Sequence, residues 1–103
     1  MRTTPVSPPD VPREAWARLT EFQRWVYRAV STIPRGQTRS YRWVACRIGR
    51  PKAARAVGRA LNRNPFAPRV PCHRVVRADG SLGGFAGGPS KKRRLLCAEG
   101  WRG

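Results

Sequence analysis

Read for apolar spacing alone, the chain separates into a polar, proline-punctuated start and a series of short amphipathic stretches. Phe22, Trp25, Val26, Ala29, Val30 and Ile33 recur at three- and four-residue steps, which predicts one helix with a single apolar face ending at Pro34-Arg35-Gly36. Its start is marked by Thr20-Glu21-Phe22-Gln23, where Thr20 can cap and Gln23 can reach back. A second helix is predicted from Tyr41 to about Ile48, capped by Ser40, facing inward through Val44, Ala45 and Ile48, and stopped by Gly49; Cys46 within it is expected only to pack. Pro51 suits the first turn of a third helix running to about Asn62. Two helices joined by so short a turn suggest helix-turn-helix.

On that third helix the angular spacing puts Ala53, Val57, Ala60, Leu61 and Asn64 on one face and Ala54, Arg55, Gly58, Arg59 and Asn62 on the other. The second face mixes very small residues with arginines, whereas a solvated face more often carries long polar side chains of both signs. Small residues one turn apart allow a close backbone approach to another surface, with Arg55 placed to reach into it. We therefore read this as a DNA-facing helix.

Asn64-Pro65 ends the helix, and Pro65 and Pro68 stiffen the loop beyond. Val75-Val76, Asp79-Gly80 and Leu82 read as a short hairpin. Four glycines around Phe85, from Gly83 to Gly88, make a loop able to come near a flat ligand, or simply a flexible turn. Pro89-Ser90 opens a last helix, with Leu95, Leu96 and Cys97 inward after a solvated run from Lys91 to Arg94, and Glu99-Gly100 closes it. Glu99 sits where the helix dipole disfavours its charge, so it needs a cationic or hydrogen-bonding partner; His73 is one candidate and any basic residue another. Residues 1 to about 18, with Pro5, Pro8, Pro9 and Pro12, read as a loose arm with a short helical turn at 13 to 18, leaving 19–103 as the folded domain.

Composition narrows the function. A chain of 103 residues holds one small domain. Its 22 Lys plus Arg against 5 Asp plus Glu give a formal charge of +17, which favours a polyanionic partner, nucleic acid before membrane, although a GC-rich coding bias also enriches arginine. Three cysteines without a C-x-x-C spacing argue against a disulfide framework and a zinc site. No apolar run approaches membrane-spanning length and the start has no apolar signal core, so a soluble, cytoplasmic protein is expected, nucleoid-associated if bacterial, and monomeric.

The candidate chemistry lies in Pro71-Cys72-His73-Arg74-Val75-Val76, where the only histidine adjoins a cysteine. A thiol becomes a strong nucleophile as thiolate, and cationic neighbours lower its pKa. Pro71 stiffens the backbone entering Cys72. In a regular strand the two side chains would point apart, so their cooperation requires a turn or a bridging water. The same residues also fit a small buried hydrophobe beside a satisfied imidazole.

Taken together, residues 20 to 100 resemble the C-terminal domain of the O6-alkylguanine-DNA alkyltransferases, the methylated-DNA–protein-cysteine methyltransferases. The matching motifs are Pro34-Arg35-Gly36 before Ser40-Tyr41, the run from Pro51 to Gly58, Asn64-Pro65, Pro71 to Val75, the glycine-rich loop, and Leu95-Leu96 leading to Glu99-Gly100. The resemblance implies a mainly α, winged-helix-like domain that enters the minor groove, flips the damaged guanine and moves its alkyl group irreversibly to cysteine, without metal or cofactor. Cys72 would be the acceptor, His73 the base acting through water, Glu99 the group orienting His73, and Asn64 the brace of the nucleophile's loop. Tyr41 would donate towards the lesion, and Arg55 would fill the gap in the base stack. Expected DNA contacts are Arg55, Ala54, Gly58, Arg42, Arg50, Arg59 and Ser40, and the base pocket is expected from Tyr41, Val75, Phe85, Ala86 and Gly87. The expected partner is double-stranded DNA carrying alkylated guanine, with downstream repair proteins beyond it.

Two departures stand out. Family members commonly carry an N-terminal domain where this chain has its proline-rich arm, and Phe85 and Ala86 replace a tyrosine and a serine found in some. A related single-domain branch, the alkyltransferase-like proteins, binds the same lesions without repair and lacks the cysteine. Cys72 is retained here.

Overall fold

The computed structural model describes residues 11–66, 70–79, 81–82 and 88–101. Five helices and one short sheet make up this part: α1 Arg13–Ala17, α2 Glu21–Val30, β1 Arg39–Ser40, α3 Tyr41–Arg47, α4 Ala54–Asn62, a single 3-10 turn Cys72–Arg74, β2 Val75–Val76, and α5 Pro89–Ala98. The mainly helical class and the helix-turn-helix are as the spacing predicts.

Helix α2 begins with a complete capping box. The Thr20 side chain accepts from Gln23 N at 3.1 Å and the Gln23 side chain accepts from Thr20 N at 2.9 Å, together contributing on the order of 1 kcal/mol. The helix ends at Val30, one turn earlier than Pro34, and Ile33 is buried from the loop that follows. Its most buried large side chain is Tyr27, which the apolar spacing missed because its hydroxyl is polar; that hydroxyl donates to Ala60 O at 2.6 Å and so ties α2 to the end of α4.

The turn between α3 and α4 is fixed by a Schellman arrangement. Gly49, at φ +78°, donates to Cys46 O, and Arg50 N donates to Ala45 O at 2.8 Å. Pro51 lies in this turn rather than in the next helix, because α4 begins only at Ala54 after an Ala53 cap. Cys46 is exposed, not packed, since it falls on the side of α3 away from Val44 and Ala45. On α4, Val57, Ala60 and Leu61 are buried while Arg55, Arg59 and Asn62 are exposed, as the face analysis requires.

The expected hairpin is replaced by a parallel ladder. Val75–Val76 pairs with Arg39–Ser40, in register Arg39 with Val75 and Ser40 with Val76. Arg77 N donates to Ser81 O and the Asp79 carboxylate accepts from Ser81, but among the described residues the strand that pairs with β2 is β1, from the loop between α2 and α3. Val11 and Trp16 belong to the same buried cluster as α2, α3 and α4, so packing continues across the boundary expected near residue 18.

Among the described residues no helix is long and apolar enough to cross a membrane.

Candidate active site

The geometry around Cys72 starts with Pro71. At φ −81° and ψ 67° it forms an inverse γ-turn, closed by Cys72 N donating to Val70 O at 2.8 Å. The chain then enters one 3-10 turn, Arg74 N bonding Pro71 O, before becoming β2. Cys72 and His73 therefore stand on a turn, and the opposed directions of a strand do not apply.

Asn64 braces this turn from the end of α4. Its Nδ2 donates to Val70 O at 2.8 Å, the carbonyl that also accepts from Cys72, and its Oδ1 accepts from Phe66 N at 2.9 Å. The Asn64 amide also pulls the Cys72 thiol pKa down. One amide thus braces the loop and acts on the sulfur.

Electrostatics decide the resting protonation state. Cys72 is only 7% exposed, and burial raises its thiol pKa above the usual value against the opposing pull of the Asn64 amide and the Lys92 charge. Burial likewise lowers the His73 pKa, despite its contact with Glu99. Burial therefore opposes the cations that flank Cys72 in sequence, and both shifts favour a protonated thiol and a neutral imidazole at neutral pH.

His73 Nε2 lies 3.1 Å from Glu99 Oε2, so that nitrogen donates and Nδ1 is left as the ring's acceptor. Glu99 is held at the C-terminus of α5 by a second Schellman arrangement, with Gly100 at φ +93° and Trp101 N bonding Leu96 O. Its carboxylate is also gripped by Arg74, which donates from Nε to Oε1 at 2.9 Å and from Nη2 to Oε2 at 2.7 Å. These donors, Arg74 first, hold the carboxyl pKa down to about 2.

Lys92 corrects the reading of 91 to 94 as a solvated run. It is fully buried, donating to Val75 O at 2.6 Å and to Leu82 O, with its ammonium 5.8 Å from the centre of the Tyr41 ring. Burial lowers its pKa to about 8, with the nearby Cys72 pulling the other way. Its spacing of four from Leu96, the buried leucine of α5, was the available sequence signal. Cys97, expected inward, is exposed, and Leu95 is half-buried.

Tyr41 is half-buried at the start of α3, and burial followed by the Cys72 charge raises its pKa, so its hydroxyl is a donor at neutral pH. Its ring lies 3.9 Å from where a Cβ on Gly58 would stand, which brings α3 and α4 close. Ser40 caps α3, accepting from Trp43 N at 2.9 Å. Arg42, Arg50, Arg55 and Arg59 are exposed on the helix-turn-helix, and Ala54 is half-buried beside them. Val75, directly after the Cys72–Arg74 turn, is buried. Phe85, Ala86 and Gly87 lie outside the described residues. Among the described residues no group of His, Cys, Asp and Glu is arranged to hold a metal ion.

The chain has well-matched relatives among known proteins. Residues 21–101 match the family model for the 6-O-methylguanine DNA methyltransferase, DNA binding domain. The chain is 56% identical over 82 residues to a methylated-DNA–protein-cysteine methyltransferase of Mycolicibacterium paratuberculosis, covering 80% of this chain and 50% of that protein. A protein of the same name from Methanosarcina acetivorans is 56% identical over 81 residues, covering 79% and 52%. The chain thus spans about half the length of these curated relatives. Among solved structures, Mycobacterium tuberculosis OGT in complex with DNA superposes with a TM-score of 0.78 at 55% identity, covering 80% of this chain and 51% of that one. S. pombe Atl1 in complex with damaged DNA containing O6-carboxymethylguanine gives 0.72 at 35% identity, covering 81% and 79%.

Proposed function

The chain belongs to the 6-O-methylguanine DNA methyltransferase family, and from that premise we propose that it transfers an alkyl group from O6-alkylguanine in DNA to Cys72, once per molecule. The observation that carries this reading is the turn at 71–74, which sets Cys72 beside Asn64 and Lys92 and places His73 against Glu99. In the reaction the sulfur attacks the alkyl carbon, a C–S bond forms and the carbon–O6 bond breaks. The electron pair leaves with guanine. The thiol proton passes through water to His73 Nδ1, while Glu99 stabilises the imidazolium, and guanine gains the proton it needs from Tyr41 or the same relay. A proton acceptor is needed because the resting thiol is protonated. The thioether product has no route back, so turnover stops after one event.

DNA would be held by the helix-turn-helix, whose exposed arginines face outward from α3, the turn and α4. The lesion must leave the duplex to reach a buried sulfur, which costs a few kcal/mol. Arg55 would fill the vacated position.

A second reading, lesion binding without transfer, draws support from one observation: the thiol is buried, and burial raises its pKa. Intact-mass measurement after incubation with a methylguanine oligonucleotide separates the two. Transfer adds one methyl group per molecule and is abolished in Cys72→Ala; lesion-specific binding with no mass change supports the second reading.

A further inference from the structure

Arg74 follows His73 in the same turn, yet both side chains reach one carboxylate. The guanidinium forks onto both oxygens of Glu99, and its remaining arm donates from Nη1 to Ile33 O at 2.7 Å, at the end of the α2 loop. His73 meets the Oε2 atom that Arg74 already holds. A buried carboxylate alone beside an imidazole draws a proton onto the ring and turns the acceptor into a cation before any reaction begins. A bidentate arginine spreads and offsets that charge while leaving the hydrogen bond intact.

We propose that Arg74 is a positioning residue for alkyl transfer: it fixes the Glu99 carboxylate against His73 and offsets its charge, keeping His73 a neutral proton acceptor. The kinetic part of this inference rests on the alkyl-transfer reading of the site. The charged groups acting on His73 are Glu99 and Lys92 from α5 and Arg74 from its own turn, with the Cys72 thiol preceding it. Glu99 favours the protonated ring, whereas burial, Arg74 and Lys92 oppose it. Arg35, from the loop after α2, cannot substitute. It is 71% exposed, and its guanidinium reaches Glu99 only at 3.9 Å.

His73 is the chain's single histidine, so its ring titration can be followed by NMR without ambiguity. Arg74→Met should raise the titration midpoint by about one pH unit, Arg74→Lys should return it close to the parent value, and Glu99→Gln should lower it. Should Arg74→Met not fold, Arg74→Gln, which keeps a donor for Ile33 but loses the charge, must give the same rise. An unchanged or lowered midpoint in a folded, charge-free variant overturns the proposal, as does a midpoint indifferent to Glu99→Gln. Single-turnover methyl transfer measured against pH should show its acid limb moving upward with the midpoint in Arg74→Met. If the parent chain transfers no methyl group, the alkyl-transfer reading fails, and the NMR titration still judges whether Arg74 controls His73.

Discussion

The carbonyl oxygen of Glu99 lies 2.8 Å from where a Cβ on Gly36 would stand. Gly36 also holds a φ of +81°, so a side chain there is disfavoured both by its own backbone and by the end of α5. Gly36→Ala should therefore destabilise the fold by about 1–3 kcal/mol and push Glu99 away from His73. Thermal unfolding and single-turnover transfer measure the two effects; a variant as stable as the parent would mean that the loop and helix are not closely seated.

Asn64→Ala removes the donor to Val70 and the acceptor for Phe66 N at once, together with the amide that pulls the thiol pKa down. The expected cost is about 1–3 kcal/mol, read by urea unfolding, together with slower transfer. Asn64→Asp keeps the Phe66 contact and loses the donor, so it should recover part of the stability and little of the rate. Full kinetic recovery by Asp would remove the donor's role.

Lys92→Met should raise the Cys72 pKa further, because the ammonium is one of the groups pulling it down. In a Cys46→Ser/Cys97→Ser background, alkylation of Cys72 by iodoacetamide at pH 7 should slow, up to about tenfold per unit of pKa change. The difference should shrink above about pH 8, where Lys92 itself loses its proton. Equal labelling across this range would show that the charge does not reach the sulfur.

Acid should weaken the fold in two steps. His73 has a lowered folded pKa, so the unfolded chain gains a proton first and stability falls as pH drops through the ordinary histidine value of 6.5. Glu99, held at about 2 against 4.5, contributes stability that is present above 4.5 and lost as pH falls towards 2. Urea titrations from pH 8 to pH 2 should show Glu99→Gln flattening the lower step while deepening the upper one, because His73 loses the carboxylate that favours its protonated ring. A lower step that survives this substitution would assign it elsewhere.

Gly58→Ala should raise helix stability by up to about 1 kcal/mol, since the new methyl makes only ordinary contact with the Tyr41 ring. If the backbone of α4 lies against DNA, the same change should weaken duplex binding, and Arg55→Ala should slow repair more in duplex than in single strands. Unaltered binding by the alanine variant, measured by fluorescence anisotropy at several salt concentrations, would place DNA elsewhere.

The helices were legible because their signals are local. Thr20 with Gln23, Ser40, and Gly49 each announce a helix end through bonds made within a few residues. The partners of buried polar groups were not, since they join distant segments. Nothing near Lys92 in sequence marks Val75 and Leu82 as its acceptors, and Arg74 gives no sign that it will fork onto Glu99. The strand Val75–Val76 was visible, but its mate was not: an adjacent turn suggested a hairpin, while the chain pairs it with a segment before α3. The pull of burial on the thiol is hidden for a related reason. Neighbouring cations can be counted in a sequence, whereas desolvation is a property of the finished fold.

Ser40 occupies two structures at once, as the cap of α3 and as the rung opposite Val76. The first turn of α3 and the strand that follows the Cys72–Arg74 turn therefore meet in a single residue. A displacement of α3 at its first turn would reach β2 through this one residue, so groove binding and the setting of the Cys72 turn are expected to be coupled.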